Sequence, residues 1–251
     1  MIYIGTAGWT IPAHAAAHFP GGGAHLEQYA RQFPGVKINS TFYRDHKPST
    51  FERWAASVPD SCRFSIKISR TITHEQRLVD VGHLLEMFML QATCPGEKLR
   101  VILVQLPPSL SYDNIVAGAF LNSLRQHYAG LVAIEPRHAS WFTTSVAQLL
   151  TDCGIFRVGA YPAVVPEAGI SGADPNLLYL LLHGSPRVYN SRYSDQALES
   201  AASTLLNADR RGADAWCVLD NTAGGAAATD AVRLQSLLWR ELSKSASRPK
   251  F

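Results

Sequence analysis

The sequence predicts an α/β protein folded as one (β/α)8 TIM barrel, and three observations carry that expectation. Eight short apolar runs recur along the chain, with the length and character of strands buried on both faces of a parallel sheet. Segments of helical spacing follow these runs, so strand and helix alternate as in βαβ units. Composition stays even across all 251 residues, with 47% hydrophobic content, which favours one core and matches the size of a closed barrel. An open doubly wound sheet is the alternative, but no Gly-x-Gly-x-x-Gly turn follows the first run to support it.

Taken in order, Ile2 to Gly5 forms the first strand and leads through Thr6-Ala-Gly-Trp9 into a loop rich in Pro, His and Gly. Leu26 to Phe33 has helical spacing. Val36 to Asn39 is the second strand, running out through Ser40 to Tyr43. Pro48 suits a first helical turn, where its missing N–H removes no bond, and that helix reaches about Ser57. Cys62 to Ile68 alternates apolar and polar as the third strand, and a helical pattern covers Leu78 to Leu90. Val101 to Gln105 is the fourth strand, stopped by Pro107 and Pro108, after which Asp113 is placed to cap a helix ending near His127. Val132 to Glu135 is the fifth strand, with a helix over Trp141 to Cys153. Ile155 to Gly159 is the sixth, followed by a loop of Pro, Gly and Ala. Leu177 to Leu182 is the seventh, and Ser194 caps a helix from about Asp195 to Ala208. Ala215 to Leu219 is the eighth, and the last helix runs from about Gly225 to Leu242. The barrel domain is therefore expected over 1–242, with 243–251 as a basic polar tail.

Bulk chemistry narrows the function classes. The net charge is +3, from 23 basic and 20 acidic residues. The last nine residues hold Lys244, Arg248 and Lys250 and no acid, so the body is balanced at 20 against 20. A duplex-binding protein ordinarily shows a basic excess or stripe, and none is evident. No run approaches the roughly 18 apolar residues of a membrane span. Cys62, Cys94, Cys153 and Cys217 are scattered singly, two of them in apolar strands. They suit core thiols in a reducing compartment rather than a disulfide framework or zinc site. A soluble cytoplasmic protein without a leader or a membrane partner is expected.

In a barrel of this kind all strand C-termini open on one face, and chemistry gathers there. The strand ends are Thr6, Asn39, Lys67, Gln105, Glu135, Arg137, His183, Asp220 and Asn221, polar in every case although the strands behind them are apolar. Glu135 and Arg137 are two apart and share a face in extended geometry. That spacing suits either a structural ion pair or an acid whose charge the guanidinium fixes. Glu135, His183, Lys67 and Asp220 are the candidate catalytic residues. Thr6, Asn39, Tyr43, Gln105, Arg137, Arg192, Tyr193 and Asn221 are the candidate substrate-binding residues. Loops after the seventh and eighth strands carry Gly184, Arg187, Arg192 and Gly224-Gly225, a pattern that serves equally for chain turns and for phosphate. Trp9, Phe42, Tyr43, Trp141, Tyr189 and Tyr193 follow strands or precede helices, where aromatic rings stack on a sugar or base.

No cofactor or metal is implied. His14 and His18 are four apart but lie between Pro12 and Pro20 with no intervening acid, unlike a helical zinc pair. A metal shared by Glu135, His183 and Asp220 is geometrically conceivable, while a Ser nucleophile elbow and a P-loop are both missing.

An ordered set of motifs runs from residue 5 to about 235. It comprises Gly5-Thr-Ala-Gly-Trp9, Ile38-Asn-Ser-Thr-Phe-Tyr43, Phe64-Ser-Ile-Lys67 with Thr73-His74, Gln105-Leu-Pro-Pro108, Glu135-Pro-Arg-His138 with Ser140-Trp-Phe142, and His183-Gly184 with Arg192-Tyr193-Ser194. In this set the chain resembles domain-of-unknown-function family 72, the YecE-like barrel proteins. The resemblance implies a TIM barrel and supplies no reaction. Three positions depart from the family pattern: Lys37 stands where a glutamate is common, Tyr161 where an aspartate is expected, and Asp220 where an asparagine is frequent. These exchanges thin the acids a shared metal mechanism would use and leave Glu135 the best-placed acid. The reading that follows is an acid/base enzyme, of hydrolase or lyase type, on an anionic substrate such as a phosphorylated sugar or nucleotide-like molecule. The alternatives are a nucleic-acid-binding protein, or a catalytically altered barrel that binds a metabolite.

Overall fold

The computed structural model describes residues 1–172 and 176–246. Among these residues nine strands alternate with seven α-helices. The strands are β1 (Ile2–Thr6), β2 (Gly35–Ile38), β3 (Arg63–Lys67), β4 (Leu99–Gln105), β5 (Leu131–Glu135), β6 (Ile155–Arg157), β7 (Gly159–Tyr161), β8 (Leu177–Leu182) and β9 (Asp214–Leu219). The helices are α1 (His25–Gln32), α2 (Pro48–Ala56), α3 (Gly82–Ala92), α4 (Asn114–His127), α5 (Thr144–Asp152), α6 (Asp195–Arg210) and α7 (Ala226–Ala246). Every strand pairing is parallel.

Hydrogen bonding groups the strands into two arcs, β1-β9-β8-β7 and β2-β3-β4-β5-β6. Two seams join them. Strands β6 and β7 are separated only by Val158, whose N–H donates to Ile134 O at 2.9 Å. They occupy one position of the barrel and hand it from the β5 side to the β8 side, so nine segments fill eight positions. At the other seam Ala7 bridges Lys37, and Gly8 N–H donates to Lys37 O at 2.8 Å. Gly5 and Gly35 let β1 and β2 approach there, because a Cβ on Gly5 would lie 2.0 Å from Gly35 O. The Tyr29 hydroxyl replaces the missing ladder, accepting from Thr6 N at 2.7 Å and donating to Gly35 O at 3.1 Å.

The strand period of two sorts side chains into two cores. Tyr3, Val101, Leu103, Ala133, Tyr179, Leu181, Trp216 and Val218 pack together inside the barrel. Ile102, Val104, Ile134, Leu180 and Cys217 face outward into the layer covered by the helices. Trp216 stacks on Tyr3 at 4.8 Å and on Tyr179 at 6.0 Å, so the interior below the strand ends is filled rather than hollow.

Several expected boundaries move. The sixth unit carries no α-helix among the described residues, only a 3-10 turn over Pro166–Gly169. Pro162, Pro166, Gly169 and Gly172 crowd a short stretch there and break any helical run. The third helix starts at Gly82 rather than Leu78, because Arg77, Leu78 and Asp80 all take positive φ. Trp141 belongs to a 3-10 turn ahead of α5. Residues 243–246 continue α7 instead of opening a tail, and the remainder of that tail, 247–251, lies outside the described residues. No helix among the described residues is long and apolar enough to cross a membrane.

Candidate functional site

Six of the inward series end in a polar side chain at the C-terminal rim. Val101 and Leu103 lead to Gln105, Ala133 to Glu135, Tyr179 and Leu181 to His183, and Trp216 and Val218 to Asp220. Ser65 leads likewise to Lys67, and Gly35 to Lys37. The same alternation that fills the barrel therefore sets a polar layer on top of it.

Two ion-pair systems meet at His183. Glu135, 1% exposed, accepts from Arg137 Nε at 2.8 Å, from His183 Nε2 at 2.8 Å and from Gln105 Nε2 at 2.5 Å. Asp220 pairs with Lys37 at 2.9 Å, and His183 Nδ1 lies 3.4 Å from the same Asp220 oxygen without hydrogen-bond alignment. A carboxylate only accepts and a guanidinium only donates. The Nε2 proton of His183 therefore serves Glu135, and the Arg137 Nη2 atom at 3.1 Å is a neighbour rather than a second partner.

Protonation follows these contacts. Burial works to raise Glu135, but Arg137 and His183 outweigh it and hold the carboxyl well below the usual range. Burial likewise opposes ionisation of Asp220, yet Lys37 and His183 bring it down to about 2. Burial works to lower His183, while Glu135 and Asp220 leave it raised.

Lys67 is different. Its Nζ is 2.6 Å from Gln105 Oε1 and 3.6 Å from the centre of the Phe42 ring. No carboxylate among the described residues lies within ion-pair distance of it. Burial, at 5% exposure, and the neighbouring Lys37 charge push its amine down to about 7. His74 packs edge-on against the same Phe42 ring at 4.8 Å. Burial and the charges of Lys67 and Arg137 take His74 down to about 4, so it is neutral at pH 7.

Above this layer opens a cavity of about 510 Å3, walled by Asn39, Phe42, Tyr43, Lys67, Arg70 and His74 on one side and by Gln105, Arg137, Tyr189 and Asp220 on the other. That volume suits a small molecule. Arg70 pairs with Glu75 at 3.0 Å. Lys37, Arg70 and Arg137 thus each have a carboxylate, and Lys67 is the cation left over. Asn39 Oδ1 is buried without a partner among the described residues. Tyr189 sits in the left-handed region at φ 66°, a strained state for a ring-bearing residue, and its hydroxyl accepts from Arg137 at 3.2 Å. A larger cavity, about 990 Å3, opens on the barrel flank where the sixth helix is missing. Its walls are mainly Leu178, Leu180, Leu182, Ala197 and Ala201, with no converging set of titratable groups. The titratable side chains converge on the smaller cavity instead.

The family profile described as "Protein of unknown function DUF72" matches residues 3–250. The chain belongs to the DUF72 family. It is similar to the UPF0759 protein YunF of Bacillus subtilis, 25% identical over 99% of this chain and 98% of that protein. It also resembles the UPF0759 protein YecE of Escherichia coli, 27% identical over 70% of this chain but only 63% of that protein's length. Crystal structures of DUF72 family proteins from Enterococcus faecalis and Thermotoga maritima superpose with TM-scores of 0.79 and 0.77, at 19% and 22% identity. Each superposition covers 95% of this chain, with 95% and 99% of the respective partner. These structures establish the barrel-type fold of DUF72 for this chain.

Of the residues singled out in this DUF72 sequence, Lys67, Glu135, His183, Asp220, Asn39, Tyr43, Gln105 and Arg137 come together at the mouth. Four others do not. Thr6 is tied to Tyr29 and to Gly8 O within the β1–β2 seam. Tyr193 is buried, its hydroxyl accepting from Gly184 N at 2.7 Å and donating to Tyr161 O at 3.2 Å. Asn221 Nδ2 donates to Asp230 and to Ser191 O, both at 2.9 Å. Arg192, with its side chain 63% exposed, faces Asp230 at 3.7 Å and a different groove. Lys37, His74 and Arg70 were not among the candidates, though each lies within or beside a DUF72 motif, and Phe42 was named only among the aromatic rings. For Lys37 the signal was a charged residue in an apolar strand, in register two positions before Asn39. Tyr161 is exposed on the flank and takes no part in the mouth. Among the described residues no cluster of three His, Cys, Asp or Glu side chains is arranged to hold a metal ion.

Proposed function

We propose that this protein is an enzyme that performs acid/base chemistry on a small anionic substrate held in the 510 Å3 mouth cavity. One observation carries the reading: among the described residues Lys67 is the one cation at the cavity wall without a carboxylate, with its amine poised at about 7. A group titrating at the working pH both takes and returns protons, which is the condition for efficient general acid/base catalysis. Glu135 is too firmly ionised for that task and instead holds Arg137, His183 and Gln105 in place. Lys67 is the proton-transferring group, and Arg137, Asn39 and Tyr43 orient the substrate. Arg192 is too distant to serve.

The test is calorimetric titration with a panel of sugar phosphates, nucleotides and keto acids against the wild-type protein and Lys67→Met. At least one class binds the wild type, and its affinity falls about tenfold or more in the variant, the loss of one charge-assisted contact. If no panel member binds, or if binding is the same in Lys67→Met, the proposal fails.

Tyr43 is 66% exposed at the rim opposite Tyr189, and this pair favours single-stranded nucleic acid as a second reading. Binding of an oligonucleotide that weakens steeply with salt, and that is lost in Tyr43→Ala, would select it.

A further inference from the structure

We infer that Lys67 is a nucleophile as well as a proton carrier, and that it condenses with the carbonyl carbon of an anionic aldehyde or ketone to form an imine. The inference rests on the anion-binding reading above and deepens it by naming the substrate class.

Among the described lysines, the geometry asks for this role at Lys67 alone. An amine attacks a carbonyl only when it is unprotonated and reachable, so a catalytic lysine needs desolvation, a nearby positive charge and no counter-ion. Lys37 is equally buried but is locked to Asp220 at 2.9 Å. Lys98 is spent on the Ala55 and Val58 carbonyls at 2.8 and 2.7 Å. Lys67 meets all three conditions: it faces the cavity, Lys37 stands on the adjacent strand, and no acid holds it. The Phe42 face and the more distant charges of Glu135 and Asp220 favour the ammonium form, and burial with Lys37 outweighs them.

Gln105 aims the nitrogen. Its Nε2 must donate to Glu135 Oε2, because a carboxylate cannot donate in return, and this turns Oε1 toward Lys67. One Nζ–H is thereby anchored, and the lone pair of the neutral amine is left for the cavity.

His74 supplies the proton relay. The Thr73 hydroxyl donates to Ser69 O at 3.2 Å and therefore accepts from His74 Nδ1 at 2.8 Å. That assigns the ring proton to Nδ1 and leaves Nε2 as a base, in a cavity wall shared with Lys67.

The step balances without an oxidant or reductant. The nitrogen lone pair forms the C–N bond while the carbonyl π pair moves to oxygen. A proton passes from nitrogen through His74 to that oxygen, giving the carbinolamine. The second nitrogen proton, carried by His74 to the hydroxyl, lets that oxygen leave as water with the C–O pair while the freed N–H pair closes the C=N bond, and the product is the imine. The net change is amine plus carbonyl to imine plus water. An iminium next to an acidic C–H or a scissile C–C bond is an electron sink, so proton abstraction or C–C cleavage is the reaction it would serve.

The test incubates the full chain with glyceraldehyde 3-phosphate, dihydroxyacetone phosphate or pyruvate and sodium borohydride at pH 7.5, followed by peptide mapping. At that pH an amine near 7 is mostly neutral, whereas an ordinary lysine near 10.4 is about 0.1% neutral. Lys67 should therefore be alkylated about a hundredfold faster than exposed Lys47, and Lys67→Met should lose the fast adduct. Mapping on the wild-type protein keeps the result independent of how the variant folds. Calorimetry with glycerol 3-phosphate and lactate, which carry the anion without the carbonyl, runs in parallel. Binding of these anions with adducts only on exposed lysines overturns the imine and leaves the anion site standing. No binding and no Lys67 adduct overturns both.

Discussion

At Lys67 an ammonium is taken from water without the counter-charge that Lys37 finds in Asp220, and folding stability must register the difference. Its amine lies at about 7 in the folded protein and near 10.4 in an unfolded chain. Below pH 7 both states hold the proton, and the burial penalty is present in full. Between about 7 and 10.4 the unfolded chain binds the proton more, so the penalty shrinks as pH rises. His183 acts in the opposite sense: its raised affinity stabilises below the ordinary imidazole range and fades as pH climbs through the folded value. Comparing variants separates the two, because both proteins keep His183. Urea unfolding of wild type and Lys67→Met at pH 7 and pH 9 should show the wild type gaining stability relative to the variant. Equal change in both proteins would mean that Lys67 is an ordinary charged lysine. The position of Lys67 at a strand end was legible in the sequence; its isolation was not. Charge partners here lie far apart in the chain, as with Glu135 and His183 at a separation of 48 or Lys37 and Asp220 at 183, and no local spacing encodes them. Arg192 fails for a related reason. A basic residue beside a strand-end loop looks available, and only the fold turns it toward Asp230.

Among the elements, those with strong local signals were readable. The strand ends were legible, the period of two places Glu135 and Arg137 on one face as their spacing implied, and eight of the twelve candidate site residues reach the mouth. Helix caps were readable too: Asp113 accepts from Ile115 N at 2.9 Å and Val116 N at 3.0 Å, and Ser194 accepts from Ala197 N at 3.2 Å. Asp113→Ala leaves the first amides of α4 without that acceptor. It should lower stability by about 1 kcal/mol, read as a shift in the denaturant midpoint at unchanged slope, with anion binding untouched because α4 begins outside the mouth cavity. A shift within error would show that solvent already satisfies those amides. The missing sixth helix was half visible in the Pro and Gly run after β7. The sequence reads as a loop of Pro, Gly and Ala there, and those breakers leave only a 3-10 turn. The strained turn ahead of α3 was invisible, since Arg77, Leu78 and Asp80 have ordinary helical character and take positive φ only under tertiary constraint.

Over the whole molecule, the site depends on how the barrel is joined between β1 and β2. Only the Ala7–Lys37 bridge and the Gly8 bond to Lys37 O connect backbones at the top of that seam, and Tyr29 spans it lower down. Lys37 is thus both part of the seam and the partner of Asp220. Spreading the two strands would move it away from Asp220 and from the neighbourhood in which it depresses Lys67. Gly5 is where the strands touch most closely, and its backbone needs no left-handed conformation, so an alanine there suffers from contact alone. The added methyl would meet Gly35 O at 2.0 Å, a backbone atom that cannot swing aside. Overpacking of this kind costs about 1–3 kcal/mol, and more when the obstacle is rigid. Gly5→Ala should therefore lower the urea midpoint by an amount at the upper end of that range, and the Lys67 amine should titrate higher as Lys37 withdraws. The second effect is read from the pH at which the rate of Lys67 alkylation reaches half its plateau. A variant as stable as the wild type with an unchanged alkylation profile would mean that the seam is looser than the glycine contact implies, and that Lys37 is held by Asp220 without help from β1.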